Sequence, residues 1–126
     1  MYFRLLFLAL CLATSLHQNL SGAEKPFTVV IDPGHGGTAP GAIGTTGVKE
    51  KDLNLSISLM LADNLRRAGL QVVMSRETDC TVDLHARAEM ANTAKANLFV
   101  CVHNNAGAAG DGEANGTETY YFNSSG

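Results

Sequence analysis

The chain has 126 residues, 45% of them hydrophobic and 17% charged, with a formal net charge of −3. Those proportions exclude a disordered polar chain and suit one folded domain. The acidic balance excludes the basic footprint of a nucleic-acid binder.

Residues 1–23 read as a secretory signal peptide and not as part of the domain. Met1-Tyr2-Phe3-Arg4 supplies a positive charge, residues 5–13 are an apolar run, and Ser21-Gly22-Ala23 supplies small residues before a cut. The run is too short for a permanent membrane anchor. Cleavage would leave residues 24–126 as the domain, with eight Lys and Arg against twelve Asp and Glu, a net charge of −4.

Phe27-Thr28-Val29-Val30-Ile31 reads as a buried strand. It runs into Asp32-Pro33-Gly34-His35-Gly36-Gly37, and six of the fourteen residues at 34–47 are glycine, so a long loop follows. Gly34 to Ala39 formally fits a dinucleotide-binding fingerprint. That motif needs a helix opening within the glycines, and here Pro40, Gly41, Gly44 and Gly47 intervene, so nucleotide binding is rejected. Asp52 is placed as the cap of a helix whose apolar face is Leu53, Ile57, Met60, Leu61, Leu65 and Ala68, ending at Gly69. Residues 71–75 form a second strand, Asp83 caps a second helix over 84–96, and residues 98–103 form a third strand. A fourth strand is expected at 117–122.

Alternating strands and helices predict an α/β fold, a mostly parallel sheet flanked by helices in three layers. In such sheets ligands bind outside the carboxyl ends of the strands. His35 follows strand one, Glu50 precedes the first helix and His103 closes strand three, so all three fall on one sheet edge. Two imidazoles and a carboxylate with a fourth position open form a catalytic zinc set, able to acidify a water and polarise a carbonyl. Each residue alone also fits a plainer role: a hydrogen-bonded core histidine, or a glutamate favoured by a helix dipole.

Several pieces, in order, resemble the zinc-dependent N-acetylmuramoyl-L-alanine amidases of the amidase 3 family: VIDPGHGG (30–37), PGAIGTTGVKEKDLNL (40–55), MSRETD (74–79), the Leu84/Arg87/Ala91-Asn92 pattern, LFVCVHNNA (98–106) and GTETYYF (116–122). The resemblance covers nearly all of residues 24–126. It implies that His35, Glu50 and His103 ligate zinc, and that the substrate is peptidoglycan, cut between the N-acetylmuramic acid lactyl group and L-alanine. The signal peptide, read independently, implies export to the periplasm or the extracellular cell wall, where that substrate lies; the resemblance adds roles in cell-wall turnover or daughter-cell separation, and any activator protein is unspecified. Asn105 stands where some members have an aspartate, so no extra carboxylate ligand is expected there. The family's main catalytic glutamate lies after the fourth strand and is expected beyond Gly126, so residues 24–126 are expected to be the N-terminal portion of the amidase domain. Glu118 is the one nearby carboxylate to weigh as a substitute, against a plain cross-strand or loop contact. A peptidoglycan-binding module without catalysis and a zinc peptidase acting on the stem peptide are the alternatives.

The remaining polar residues read more plainly. Asp32 either braces the His35 loop or caps the turn. Arg76 and Arg87 read as structural ion-pair or capping residues, His85 as exposed in the first turn of its helix, and His17 as part of the signal region. Cys80 and Cys101 are expected to remain unpaired: with strand one between strands two and three, two spacings of ~4.8 Å separate the outer strands, beyond the ~7 Å Cα limit of a disulfide.

Overall fold

The computed structural model describes residues 25–106 and 116–121. The proposed signal peptide at 1–23 therefore lies outside the described residues. Five elements follow one another: β1 (Thr28–Pro33), α1 (Glu50–Arg67), β2 (Gln71–Met74), α2 (Leu84–Thr93) and β3 (Leu98–Val102). The sheet is parallel and ordered β2-β1-β3. This is the α/β arrangement expected, with strand one in the middle.

β1 is central because its sequence suits it. Thr28, Val29, Val30 and Ile31 are β-branched and buried, so both faces of the strand can be covered. Val29 and Ile31 point to the face covered by α1, where they pack with Ala62 and Met74, flanked by Leu61, Leu65, Val72 and Val100. Alternation turns Asp32 to the other face, where it meets Arg87 of α2. The chain steps from β1 to β2, then returns past β1 to β3. That reversal puts the two crossover helices on opposite faces and makes the carboxyl ends of β1 and β3 the topological switch point.

Three expectations about the elements need correction. The first helix begins at Glu50 and not after Asp52; Lys49 occupies the cap position without a side-chain bond, while Glu50 and Asp52 place acids in the first turn and Arg66 and Arg67 bases in the last. Its buried face also differs. Leu53, Ile57 and Met60 are exposed, and Glu50, Asn54, Ser58 and Ala62 face inward, with Leu61 and Leu65 partly buried. Both sets have helical spacing, one residue out of phase. The inward set wins because Glu50 and Asn54 bond to the loop after β1, through the Ala42 amide and the Gly34 carbonyl, and carry the small Ser58 and Ala62 inward with them. Finally, residues 117–121 form no strand, and Phe122 lies outside the described residues.

Other boundaries hold to within a few residues. Asp83 caps α2 as expected, accepting from the amides of His85 at 2.8 Å and Ala86 at 3.4 Å, but the helix ends at Thr93. Cys80 and Cys101 are free thiols. No helix among the described residues is long and apolar enough to cross a membrane.

Candidate metal centre

Three segments converge at the switch point. The loop after β1 carries His35, the first residue of α1 is Glu50, and His103 follows directly on β3. His35 Nε2 lies 3.1 Å from Glu50 Oε2, and His103 Nδ1 lies 2.9 Å from Glu50 Oε1. The two imidazoles meet edge to face, with centroids 4.9 Å apart. One ligand atom from each residue can be chosen so that all lie within 4.8 Å of one another, the one such group among the described residues.

This donor set fits a zinc ion. Zinc bonds of ~2.0–2.1 Å in a tetrahedron hold ligand atoms about 3.3 Å apart; the two histidine–glutamate contacts, each to its own carboxylate oxygen, are near that value, and the set with one atom per residue lies within 4.8 Å. The burial grades suitably: Glu50 is buried, His35 is half-buried and His103 is exposed, so the cluster opens to solvent on one side.

Glycine makes the convergence possible at two positions. A Cβ on Gly34 would press into the His103 ring, closest to Cε1 and Nε2 and 2.8 Å from Cδ2. Gly41 has φ +70°, and a Cβ there would lie 2.5 Å from Glu50 Oε2 and 2.6 Å from His35 Cδ2.

Glu50 is held as a carboxylate. Burial pushes its pKa up, but hydrogen bonds from the Ala42 amide, His103 and the Asn104 amide, together with nearby His35, outweigh this and bring it down to about 2 from 4.5. Between those values the unfolded chain binds more protons, so stability rises with pH. Glu50 thus contributes stability fully present above pH 4.5 and lost as pH falls toward 2. Urea unfolding of the metal-free protein at stepped pH should show this component, and Glu50→Gln should remove it. An unchanged pH profile in that variant would refute the assignment.

The sequence reasoning missed Asn54. Fully buried, its Nδ2 donates to the Gly34 carbonyl at 3.0 Å and lies 3.5 Å from Glu50 Oε1, while its Oδ1 accepts from Asn104 Nδ2 at 2.8 Å. It ties together the segments bearing all three donors. Its position one turn after Glu50 was the available signal.

The other candidates are not members of that donor group. Glu118 is exposed and accepts from Tyr120 Oη at 2.6 Å. His85 is exposed in the first turn of α2. Asp32 braces the fold from beneath: it accepts from Arg87 Nη1 at 2.6 Å, from Ser75 Oγ and from Cys101 Sγ at 3.2 Å.

With this geometry in view, the comparisons with known proteins converge. The sequence profile of a family described as N-acetylmuramoyl-L-alanine amidase matches residues 29–126. The chain is 44% identical over 117 residues to the uncharacterised protein YqiI of Bacillus subtilis, covering 90% of this chain and 55% of that one. It is 42% identical over 109 residues to the N-acetylmuramoyl-L-alanine amidase LytC of the same organism, covering 86% of this chain and 21% of LytC. Among solved structures, the N-acetylmuramoyl-L-alanine amidase of Clostridium difficile 630 superposes with a TM-score of 0.63 at 40% identity, over 73% of this chain and 48% of that one. The chain thus spans about half, or less, of the length of these relatives.

Proposed function

Because the chain belongs to the amidase 3 family of N-acetylmuramoyl-L-alanine amidases, we propose that it acts in zinc-dependent hydrolysis of the amide joining N-acetylmuramic acid to L-alanine in peptidoglycan. The observation that carries this reading is the convergence of His35, Glu50 and His103 at the switch point. His35 Nε2, His103 Nδ1 and a Glu50 oxygen would hold the ion. Zinc there supplies acidity to a water and polarisation to the amide carbonyl.

The chain's own residues set the stage for that chemistry. The Ala42 and Asn104 amides bond the two Glu50 oxygens and fix the carboxylate's plane. His103 stands at the exposed side, where a long glycan–peptide substrate can approach. A cleft of about 280 Å³ lies beside Glu50, walled by Ile43, Val48 and Leu53 and edged by Asn104 and Asn105. Apolar walls with amide groups at one end suit a short peptide stem. The apolar run at 5–13 supports export, which would bring the protein to peptidoglycan in the periplasm or cell wall.

The test is product analysis on purified peptidoglycan with zinc supplied. Hydrolysis at the proposed bond releases peptides beginning with L-alanine. Release of shorter stem fragments would point to a peptidase, and binding without release to a recognition module. Glu118→Gln examines the one carboxylate weighed as a general acid–base: that role predicts a fall of ~10²–10⁴-fold. An unchanged rate removes Glu118 from the reaction.

A further inference from the structure

The loop that carries His35 is gripped from below by two buried cations. Arg76 follows β2 and Arg87 lies in the first turns of α2, and they are 3% and 7% exposed. Arg76 donates through Nε to the Pro33 carbonyl at 3.0 Å and through Nη2 to the carbonyls of Gly34 at 3.0 Å and Lys51 at 2.8 Å. Arg87 donates through Nη1 to Asp32 at 2.6 Å and the Pro33 carbonyl at 3.0 Å, and through Nη2 to the His35 carbonyl at 2.8 Å. Three successive carbonyls, 33 to 35, therefore accept from guanidinium groups.

That pattern exceeds what ion pairing requires. One buried carboxylate, Asp32, faces the two arginines, and half of their hydrogen bonds go to main-chain oxygens of one three-residue segment, the rest to Asp32 and to the carbonyls of Lys51, Thr78 and Val82. Burying two neighbouring like charges opposes folding, as the downward pressure on the Arg76 pKa from burial and then from Arg87 reflects. The segment they hold is unusual in the same place: His35 has φ +63°, a left-handed conformation that non-glycine residues seldom adopt. Its φ and the peptide planes on either side decide where the imidazole points.

We propose that Arg76 and Arg87 are positioning residues for the metal centre: by fixing the carbonyls of Pro33, Gly34 and His35, they hold the left-handed turn that presents His35 Nε2 to Glu50 and His103 before any ion arrives. The consequence for zinc rests on the functional reading above; the consequence for the loop does not. Arginine is required because its planar fork can serve several carbonyls at fixed angles, whereas a lysine ammonium is a point charge on a flexible stem.

Arg76→Lys and Arg87→Lys keep the charge and remove the fork. In each, zinc affinity measured by chelator competition should fall about 10–100-fold, the range seen when outer partners of metal ligands are altered. The visible spectrum of the cobalt-substituted protein should shift as His35 withdraws. A folded lysine variant that keeps wild-type zinc affinity and an unchanged cobalt spectrum would overturn the proposal.

The zinc-free wild type supplies a measurement that needs no variant to fold and no metal to bind. Carbon chemical shifts of His35 should already report a left-handed backbone. A loop that is unstructured until zinc is added would mean that the ion, and not the arginines, holds it, and the proposal would fail. A wild type that binds no zinc yet shows the left-handed His35 would refute the proposed function and leave the clamp standing.

Discussion

Replacing Asp32 with alanine is expected to destabilise the protein by about 3–5 kcal/mol, the usual result of removing one member of a buried ion pair. Asp32 is 3% exposed and is the buried carboxylate opposite Arg87. Its loss would leave that guanidinium beside Arg76 without a counter-charge, and would strand the Ser75 hydroxyl as well. A domain's whole margin is only about 5–15 kcal/mol, so the variant should unfold at a much lower urea concentration. The contrast is Asp63→Ala on the exposed face of α1, where the Arg67 pair is open to solvent and worth at most about 0.5 kcal/mol. A second readout is chemical. Burial, and then the Asp32 carboxylate, push the Cys101 thiol up to about 12. Without Asp32 that thiol should ionise more easily and react faster with an alkylating agent under conditions where the variant stays folded. Equal stability of the Asp32 and Asp63 variants would refute this account of the buried network.

The second large effect concerns two glycines. Gly34→Ala and Gly41→Ala should each lower zinc affinity about 100-fold or more, comparable with the upper range for disturbing the support of a ligand. The Gly34 methyl would occupy space held by the His103 ring, and the Gly41 methyl would meet Glu50 and His35 together. The ring or carboxylate must move by roughly an ångström to reach ordinary contact, which is large against a bond of ~2.0–2.1 Å. Gly44→Ala is the control. Its added methyl would sit 3.6 Å from the Val48 carbonyl, an ordinary contact in the same loop. Zinc titration of the three variants beside Glu50→Ala decides the matter: the first two should resemble the ligand deletion, and Gly44→Ala should resemble wild type. If all three glycine variants bind alike, close packing at Gly34 and Gly41 is not what shapes the centre.

The sequence made the site easier to read than the helix that supports it. His35, Glu50 and His103 each sit at the end or start of an element, and element order alone carries them to one edge of a parallel sheet. β1 was legible because a run of β-branched residues is what a strand buried on both sides requires. The face of α1 was not legible. Counting apolar residues selects Leu53, Ile57 and Met60, but hydrophobicity is a poor guide where a helix packs through polar residues that have partners. Asn54 is inside because the Gly34 carbonyl and Asn104 need it, and no local pattern reveals those partners. The same applies to Arg76 and Arg87, read from sequence as structural cations. That reading has the right general sense, but their targets are main-chain carbonyls some 40 to 55 residues away, which only the fold brings near. Residues 117–121 show the opposite limit: Tyr120 and Tyr121 favour a strand by propensity, yet are 83% exposed and pair with no strand among the described residues.

The three donors belong to segments that are far apart along the chain, 15 residues from His35 to Glu50 and 53 from Glu50 to His103. An ion gripped by all three would be a tether between the two ends of β1-α1-β2-α2-β3 and would have no equivalent in the extended chain. Free energy would then follow supply: a ligand present at a thousand times its dissociation constant, with no affinity for the unfolded state, adds about 4.1 kcal/mol to a fold. Metal availability would then help set how long the protein survives proteases. On that account, withdrawing the ion would act first on the protein's lifetime, by exposing the empty form to degradation.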